Sequence, residues 1–261
     1  MRLFSKRVAK SVTPKVTVEV TETRGTRQLQ LGTQAIQSSM RLSRPWDLEL
    51  AYTRAMMAFL LFKPGPAEVL MVGLGGGSLA KFIRKHRPAT HITAVEISSQ
   101  VVAAARSHFF LPEDDEQLSV VLEDGAEYVP AHPDSADVIL LDGFDAGNQV
   151  ESLATLFFYR ACRRALKPGG VLVVNLWGRD PEFVTWFSRL VAAFDGQVGW
   201  IPVQGKSNVI VFCIADGDGP ARLANAQAEK LGKKWGLDFE IFRRELRWSN
   251  EVAPLLDRKG K

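Results

Sequence analysis

Residues 69–78, Val-Leu-Met-Val-Gly-Leu-Gly-Gly-Gly-Ser, constrain the fold more than any other part of the chain. Four consecutive apolar residues are the pattern of a strand buried on both faces of a parallel sheet, and the glycines directly after them permit a tight turn into a helix beginning near Ser78. Gly73, Gly75 and Gly77 stand at alternate positions. There the backbone can approach a ligand closely, and its N–H groups, with the helix N-terminus, can face a polar or negative group. A tight strand-to-helix turn uses glycine for its own geometry as well, so this stretch by itself is weak evidence for a nucleotide site.

Further strand ends supply the rest of the signal. Residues 92–97 read as a second strand ending in Glu96, about 20 residues beyond the glycines, where a carboxylate accepts hydrogen bonds from ribose hydroxyls. Residues 118–122 lead into Glu123-Asp124-Gly125-Ala126, and residues 136–141 lead into Asp142-Gly143-Phe144-Asp145. Each polar group lies at or just past the carboxyl end of an apolar strand, which is where ligands of open parallel sheets sit. Together they predict a nucleoside-type site; for any single Asp, a helix cap or a turn is the plainer explanation.

With 261 residues, 46% of them hydrophobic, the chain can bury one large core with room for a small appendage. No apolar run approaches the roughly 18 residues that span a bilayer, and the basic start lacks the apolar core of a secretory signal. A cytoplasmic protein without membrane partners is expected. Cys162 and Cys213 have no metal-type spacing, and His86, His91, His108 and His132 are scattered, so no metal site is indicated. The net charge of +4 comes mainly from the two ends. Basic termini without an accompanying nucleic-acid motif read as solvated, and no nucleic-acid partner is expected.

In order, residues 1–14 read as a flexible basic arm and residues 15–44 as a small antiparallel β domain, from the period-two alternation around Val16, Leu29 and Ile36. Its last strand delivers Gln37. Residues 45–216 form a Rossmann-like α/β unit, opening with a helix over 48–62 for which Asp47 is a plausible cap. Strands over 197–202 and 208–214 read as an antiparallel addition at the sheet edge. Residues 217–261 read as a helical tail, with Leu231, Trp235, Phe239 and Phe242 packing back on the domain.

This order of elements resembles the class I S-adenosylmethionine (SAM)-dependent methyltransferase fold, and more closely the spermidine synthase (polyamine aminopropyltransferase) family. The likeness is carried by the strand-terminal Gln37, the helix with Tyr52, the glycine turn, Glu96, Asp124-Gly125-Ala126, the 142–145 loop and Leu166-Lys-Pro-Gly-Gly170. It implies that Glu96 holds the ribose and Asp124 the adenine amino group, with Gln37, Gly73, Gly75, Gly77, Gly125 and Ala126 around the nucleoside. Asp142 then matches a general base that takes a proton from the acceptor amine, Asp145 a second carboxylate for a cationic acceptor, and Tyr52 and Arg54 fall in the acceptor pocket. No metal is implied, and a homodimer is common in the family.

Two departures stand beside the likeness. The family carries an acid inside the glycine motif, to bind the free amine of decarboxylated SAM, where this chain has Gly76; and its Tyr-His-Glu segment is here Tyr52-Thr53-Arg54. Three activities follow: aminopropyl transfer from decarboxylated SAM to a polyamine such as putrescine, methyl transfer from intact SAM on the same scaffold, or nucleoside binding without catalysis. The first rests on the whole-chain likeness and the two retained carboxylates.

Overall fold

The computed structural model describes residues 5–12, 17–145, 148–216 and 225–249. The chain begins with four antiparallel strands, β1 (Lys6–Val12), β2 (Thr17–Thr23), β3 (Thr26–Leu31) and β4 (Ile36–Arg41), paired in chain order. Their period-two alternation puts Val18, Val20, Leu29 and Met40 on one buried face.

Residues 6–12 correct one expectation. Instead of a flexible arm they form an edge strand, paired with β2 from Lys6↔Glu22 to Val12↔Thr17 around a bulge, with Arg7 bound to Glu19 at 2.7 Å. The strand is mostly exposed, so its side chains carry no apolar alternation from which it could be read. Backbone pairing holds it in place.

Helix α1 (Ala51–Met56) runs on into a 3-10 turn (Met57–Leu61), and residues 55–61 are all buried. It starts later than the expected position 48. Asp47 does not cap it: the cap position is Leu50, and the Asp47 carboxylate lies 3.6 Å from Lys85.

Strands β5 (Glu68–Val72), β6 (His91–Glu96), β7 (Leu118–Leu122) and β8 (Ala136–Leu141) follow, with helices α2 (Ser78–His86), α3 (Ser99–Phe109) and α4 (Gly125–Ala131) between them. A two-strand hairpin, β9 (Phe144–Asp145) and β10 (Asn148–Gln149), occupies part of the expected 142–150 loop. Then come α5 (Leu156–Ala165), the long β11 (Leu166–Trp177), α6 (Phe183–Ala193), β12 (Val198–Pro202), β13 (Asn208–Ile214), α7 (Asn225–Trp235), α8 (Phe239–Glu245) and β14 (Arg247–Trp248).

Eight of these strands form one sheet in the order β14-β12-β13-β11-β8-β5-β6-β7. Five are parallel neighbours, from β11 through β8, β5 and β6 to β7, and β13, β12 and β14 add antiparallel to one side. One face is covered by α1, α2, α7 and α8, the other by α4, α5 and α6. The tail packs where expected: Leu231, Trp235 and Phe239 are buried in the first of these layers, Phe242 lies against it, and Trp235 stacks on His86. The small β14, which completes the sheet edge, has no counterpart in the sequence reading.

From β5 the chain winds outward through β6 to β7, then crosses back to lay β8 on the other side of β5. The winding direction therefore reverses between β5 and β8, which opens a crevice at their carboxyl ends.

Candidate active site

A cavity of about 430 Å³ occupies that crevice. Its floor is where β5 and β8 end side by side. Asp142 N–H donates to Val72 O at 2.9 Å, and a Cβ added at Gly73, whose φ is 95°, would sit 2.4 Å from the Asp142 carbonyl oxygen. Only glycine fits between the two strand ends.

Glu96 closes one wall. Its Oε2 accepts from Leu74 N–H and its Oε1 from Ser98 N–H, each at 3.0 Å, so the carboxylate ties the glycine turn to the end of β6. Burial pushes its pKa up, and these backbone donors pull it partly back. Asp124 serves two ends at once. Its Oδ1 accepts from Ala126 N–H at 2.8 Å and caps α4, while the residue also lines the cavity beside Gly125.

Asp142 is held from two sides. Tyr52 Oη lies 3.1 Å from its Oδ2 and also 3.1 Å from the Gln37 carbonyl oxygen, and Asn175 Nδ2 donates to Oδ1 at 2.8 Å. Behind Asn175, Asn208 Nδ2 donates to Asn175 Oδ1 at 2.9 Å. Burial raises the Asp142 pKa, opposed by the hydrogen bonds from Asn175 and Tyr52. The Tyr52 hydroxyl is pushed well above its ordinary value by burial and by the neighbouring carboxylate.

Gln37, Tyr52, Gly73, Gly75, Glu96, Asp124, Gly125 and Asp142 thus come together around one space, although they are spread over more than a hundred positions. Three residues expected there do not line it. Gly77 is the cap position of α2, at φ 68°, and faces Leu111. Ala126 packs against the apolar layer under α4. Arg54 turns away from the cavity, and its Nη1 donates to Leu48 O at 2.7 Å and Glu49 O at 2.9 Å. Arg41 pairs with Glu49, so Arg41, Arg44 and Arg54 do not combine into an anion pocket. Asp145 lies in β9, and its side chain lies outside the described residues.

Gly76 also faces away from the space. Its N–H donates to Ser38 Oγ at 2.8 Å, and a Cβ there would meet the Phe109 ring at 2.9 Å and Ser38 Cβ at 3.0 Å. Ser38, Asn175 and Asn208 are the site residues that the sequence reading missed. Asn175 did leave a signal: it is the single polar residue in the apolar run 171–176, at 3% exposure. A buried amide in such a strand needs partners.

Among the described residues, no group of three or more His, Cys, Asp or Glu side chains is placed to hold a metal, and no lysine, arginine or histidine lines the cavity. Three carboxylates around a space of nucleoside size suit a cationic ligand. A buried carboxylate whose pKa is raised toward neutrality can also take a proton from an ammonium. No helix among the described residues is long and apolar enough to cross a membrane.

Comparison with known proteins agrees with this geometry. Residues 49–178 match the model of the spermine/spermidine synthase domain. The chain is 40% identical over 253 residues to the polyamine aminopropyltransferase of Chromobacterium violaceum, covering 96% of this chain and 97% of that one. A spermidine synthase solved in complex with the transition-state analogue AdoDATO matches with a TM-score of 0.73 at 22% identity, covering 97% of this chain and 89% of that one, a likeness of fold. Human methyltransferase-like protein 13, in complex with SAH, matches with a TM-score of 0.61 at 26% identity, covering 80% of this chain and 99% of that one.

Proposed function

This chain belongs to the spermine/spermidine synthase family, and from that premise we propose that it transfers the aminopropyl group of decarboxylated SAM to a polyamine of the putrescine type. The observation that carries the reading is Asp142: a buried carboxylate at the crevice between β5 and β8, held by two neutral donors and paired with no cation among the described residues.

The nucleoside lies against Gly73 and Gly75, with Glu96 accepting from its ribose hydroxyls and Asp124 Oδ2 from its adenine amino group. Gln37 closes over it from β4. The acceptor arrives as an ammonium, which Asp142 attracts and deprotonates. The freed lone pair attacks the carbon next to the sulfonium, a C–N bond forms, and the C–S bonding pair returns to sulfur as a neutral thioether. The proton stays on Asp142 until it is released to water. Two cations meet in this step, and the carboxylates Asp142, Glu96 and Asp124 offset their repulsion. Asp145 serves as a second carboxylate for the distal ammonium of the acceptor. No metal takes part, the protein acts in the cytoplasm, and a homodimer is the family's habit.

One observation favours a second reading, methyl transfer from intact SAM. The wall at Gly76 holds no acid to bind the donor's amine or to repel a methionine carboxylate. Incubation with putrescine and either donor, followed by mass spectrometry, separates the two. Spermidine and methylthioadenosine from the decarboxylated donor support aminopropyl transfer. Consumption of intact SAM alone, with a methylated product, replaces it.

A further inference from the structure

We propose that Asn208 and Asn175 act as a positioning relay that turns an amide NH2 group, rather than an amide oxygen, onto Asp142 and so holds that side chain as an oriented carboxylate. The relay takes from the proposed function only the identity of the reaction. An asparagine amide has nearly the same shape in its two orientations but opposite polarity at its two ends, so packing cannot choose between them; hydrogen bonds must. At Asp142 the choice matters. An NH2 group stabilises the ionised form, whereas an oxygen in its place repels that form and favours the protonated acid.

Register explains why Asn208 is the residue that decides. Leu141 of β8 pairs with Val174 of β11, so Asp142 and Asn175 occupy the next rung of adjacent parallel strands. On its other side β11 pairs antiparallel with β13, Asn175 opposite Ile210. Asn208, two residues from Ile210, points to the same face and sits diagonally across from Asn175, within reach of a side-chain hydrogen bond. That face otherwise carries apolar side chains, Val171 and Val173 on β11 and Ile210 and Phe212 on β13. In such surroundings Asn175 Oδ1 needs a donor, and Asn208 Nδ2 supplies it at 2.9 Å. With its oxygen thus engaged, Asn175 leaves Nδ2 for Asp142 at 2.8 Å.

The other groups facing Asp142 do not duplicate this control. Tyr52 of α1 donates to the opposite oxygen, and its single proton is shared with the Gln37 carbonyl. From β5 comes only backbone at Gly73, and Glu96 and Asp124 line the same cavity from the ends of β6 and β7. Asn175 and Asn208 themselves do not line the cavity. Their effect must reach the chemistry through Asp142 and leave nucleoside binding nearly unchanged.

The test exchanges donors and acceptors at position 208. Asn208→Asp keeps the shape but offers only acceptors, which draws the Asn175 NH2 group away from Asp142. Asn208→Leu removes both functions and serves as the second probe if the added charge impairs folding. Asn208→His restores a donor, its Nδ1 standing where the amide nitrogen stood. The Asp142 carboxyl is followed by 13C NMR titration in aspartate-labelled protein, with its resonance identified by loss in Asp142→Asn, and the kcat/KM pH profile is recorded beside it. In the Asp and Leu variants the Asp142 midpoint is expected to rise by about half a pH unit or more, and the acid limb of the profile to follow it. Methylthioadenosine affinity should stay within about twofold of the parent, and the His variant should return both midpoints toward the parent values. Midpoints within about 0.2 units of the parent in every variant would overturn the relay. The titration does not depend on turnover. If it moves while the parent protein transfers no aminopropyl group, the reaction assignment falls and the relay stands.

Discussion

Replacing Gly76 by Asp returns the acid that the family carries in the glycine turn, and the packing around position 76 sets the cost. A Cβ there meets Phe109 ring carbons at 2.9 and 3.0 Å and Ser38 Cβ at 3.0 Å, against the roughly 3.5–4.0 Å of ordinary carbon contacts. The Phe109 ring is fully buried with Val18, Val20, Leu29 and Met40 and has no open space to swing into. Overpacking of this kind costs about 1–3 kcal/mol. The Gly76 N–H to Ser38 Oγ hydrogen bond, 2.8 Å long, is lost or lengthened as Ser38 is displaced, for about 0.5–1.5 kcal/mol more. No backbone strain is added, because Gly76 is not among the glycines with positive φ. The sum is about 1.5–4.5 kcal/mol. Urea unfolding of the parent, Gly76→Ala and Gly76→Asp measures it, the alanine variant separating the Cβ contact from the charge. The double variant Gly76→Ala/Phe109→Leu should recover part of the loss relative to the sum of the single variants. Affinity for decarboxylated SAM should not improve in Gly76→Asp, because the new side chain points at the wall. If Gly76→Ala lies within about 0.5 kcal/mol of the parent, the steric argument fails.

Three further outcomes follow from the site. Asp142→Asn should abolish aminopropyl transfer yet raise the melting temperature near pH 7.5. A carboxyl whose folded pKa is raised contributes its stability below the unfolded value of about 4 and loses it as pH rises through the folded value. The gap between Asn variant and parent should therefore widen from pH 4 to pH 7.5, and a constant gap would contradict the sign. Tyr52→Phe removes a donor to the Asp142 carboxylate, so the acid limb of the kcat/KM profile should move to higher pH; an unmoved limb would mean that the hydroxyl serves only the Gln37 carbonyl. Arg54→Ala should cost about 1–3 kcal/mol in chemical denaturation, by uncapping two carbonyl oxygens, and leave the acceptor KM within about twofold. A tenfold rise in that KM would put Arg54 back in the acceptor pocket.

Much of the architecture is local, and local features are legible in a sequence. Four apolar residues followed by glycines specify a buried strand and a tight turn wherever they occur, and Glu96, Asp124 and Asp142 can be placed at strand ends from the apolar runs before them. The parallel order of β5, β6, β7 and β8 follows from alternating strand and helix patterns. The reversal of winding beside β5 then gathers those ends around one crevice. What the sequence could not determine depends on partners remote along the chain. Edge strand β1 is held by its pairing with β2 and not by its own pattern. Arg54 carries a charge that suits a pocket, but the carbonyls of Leu48 and Glu49 are nearer to hand and claim it. Position 76 opens onto Phe109 rather than the cavity because α3 and β4 close over the turn. Asn175 and Asn208 are 33 positions apart and have no motif in common. Only the antiparallel register of β11 and β13 sets one diagonally across from the other, and only the end of β8 beside them gives that pair of amides a carboxylate to orient.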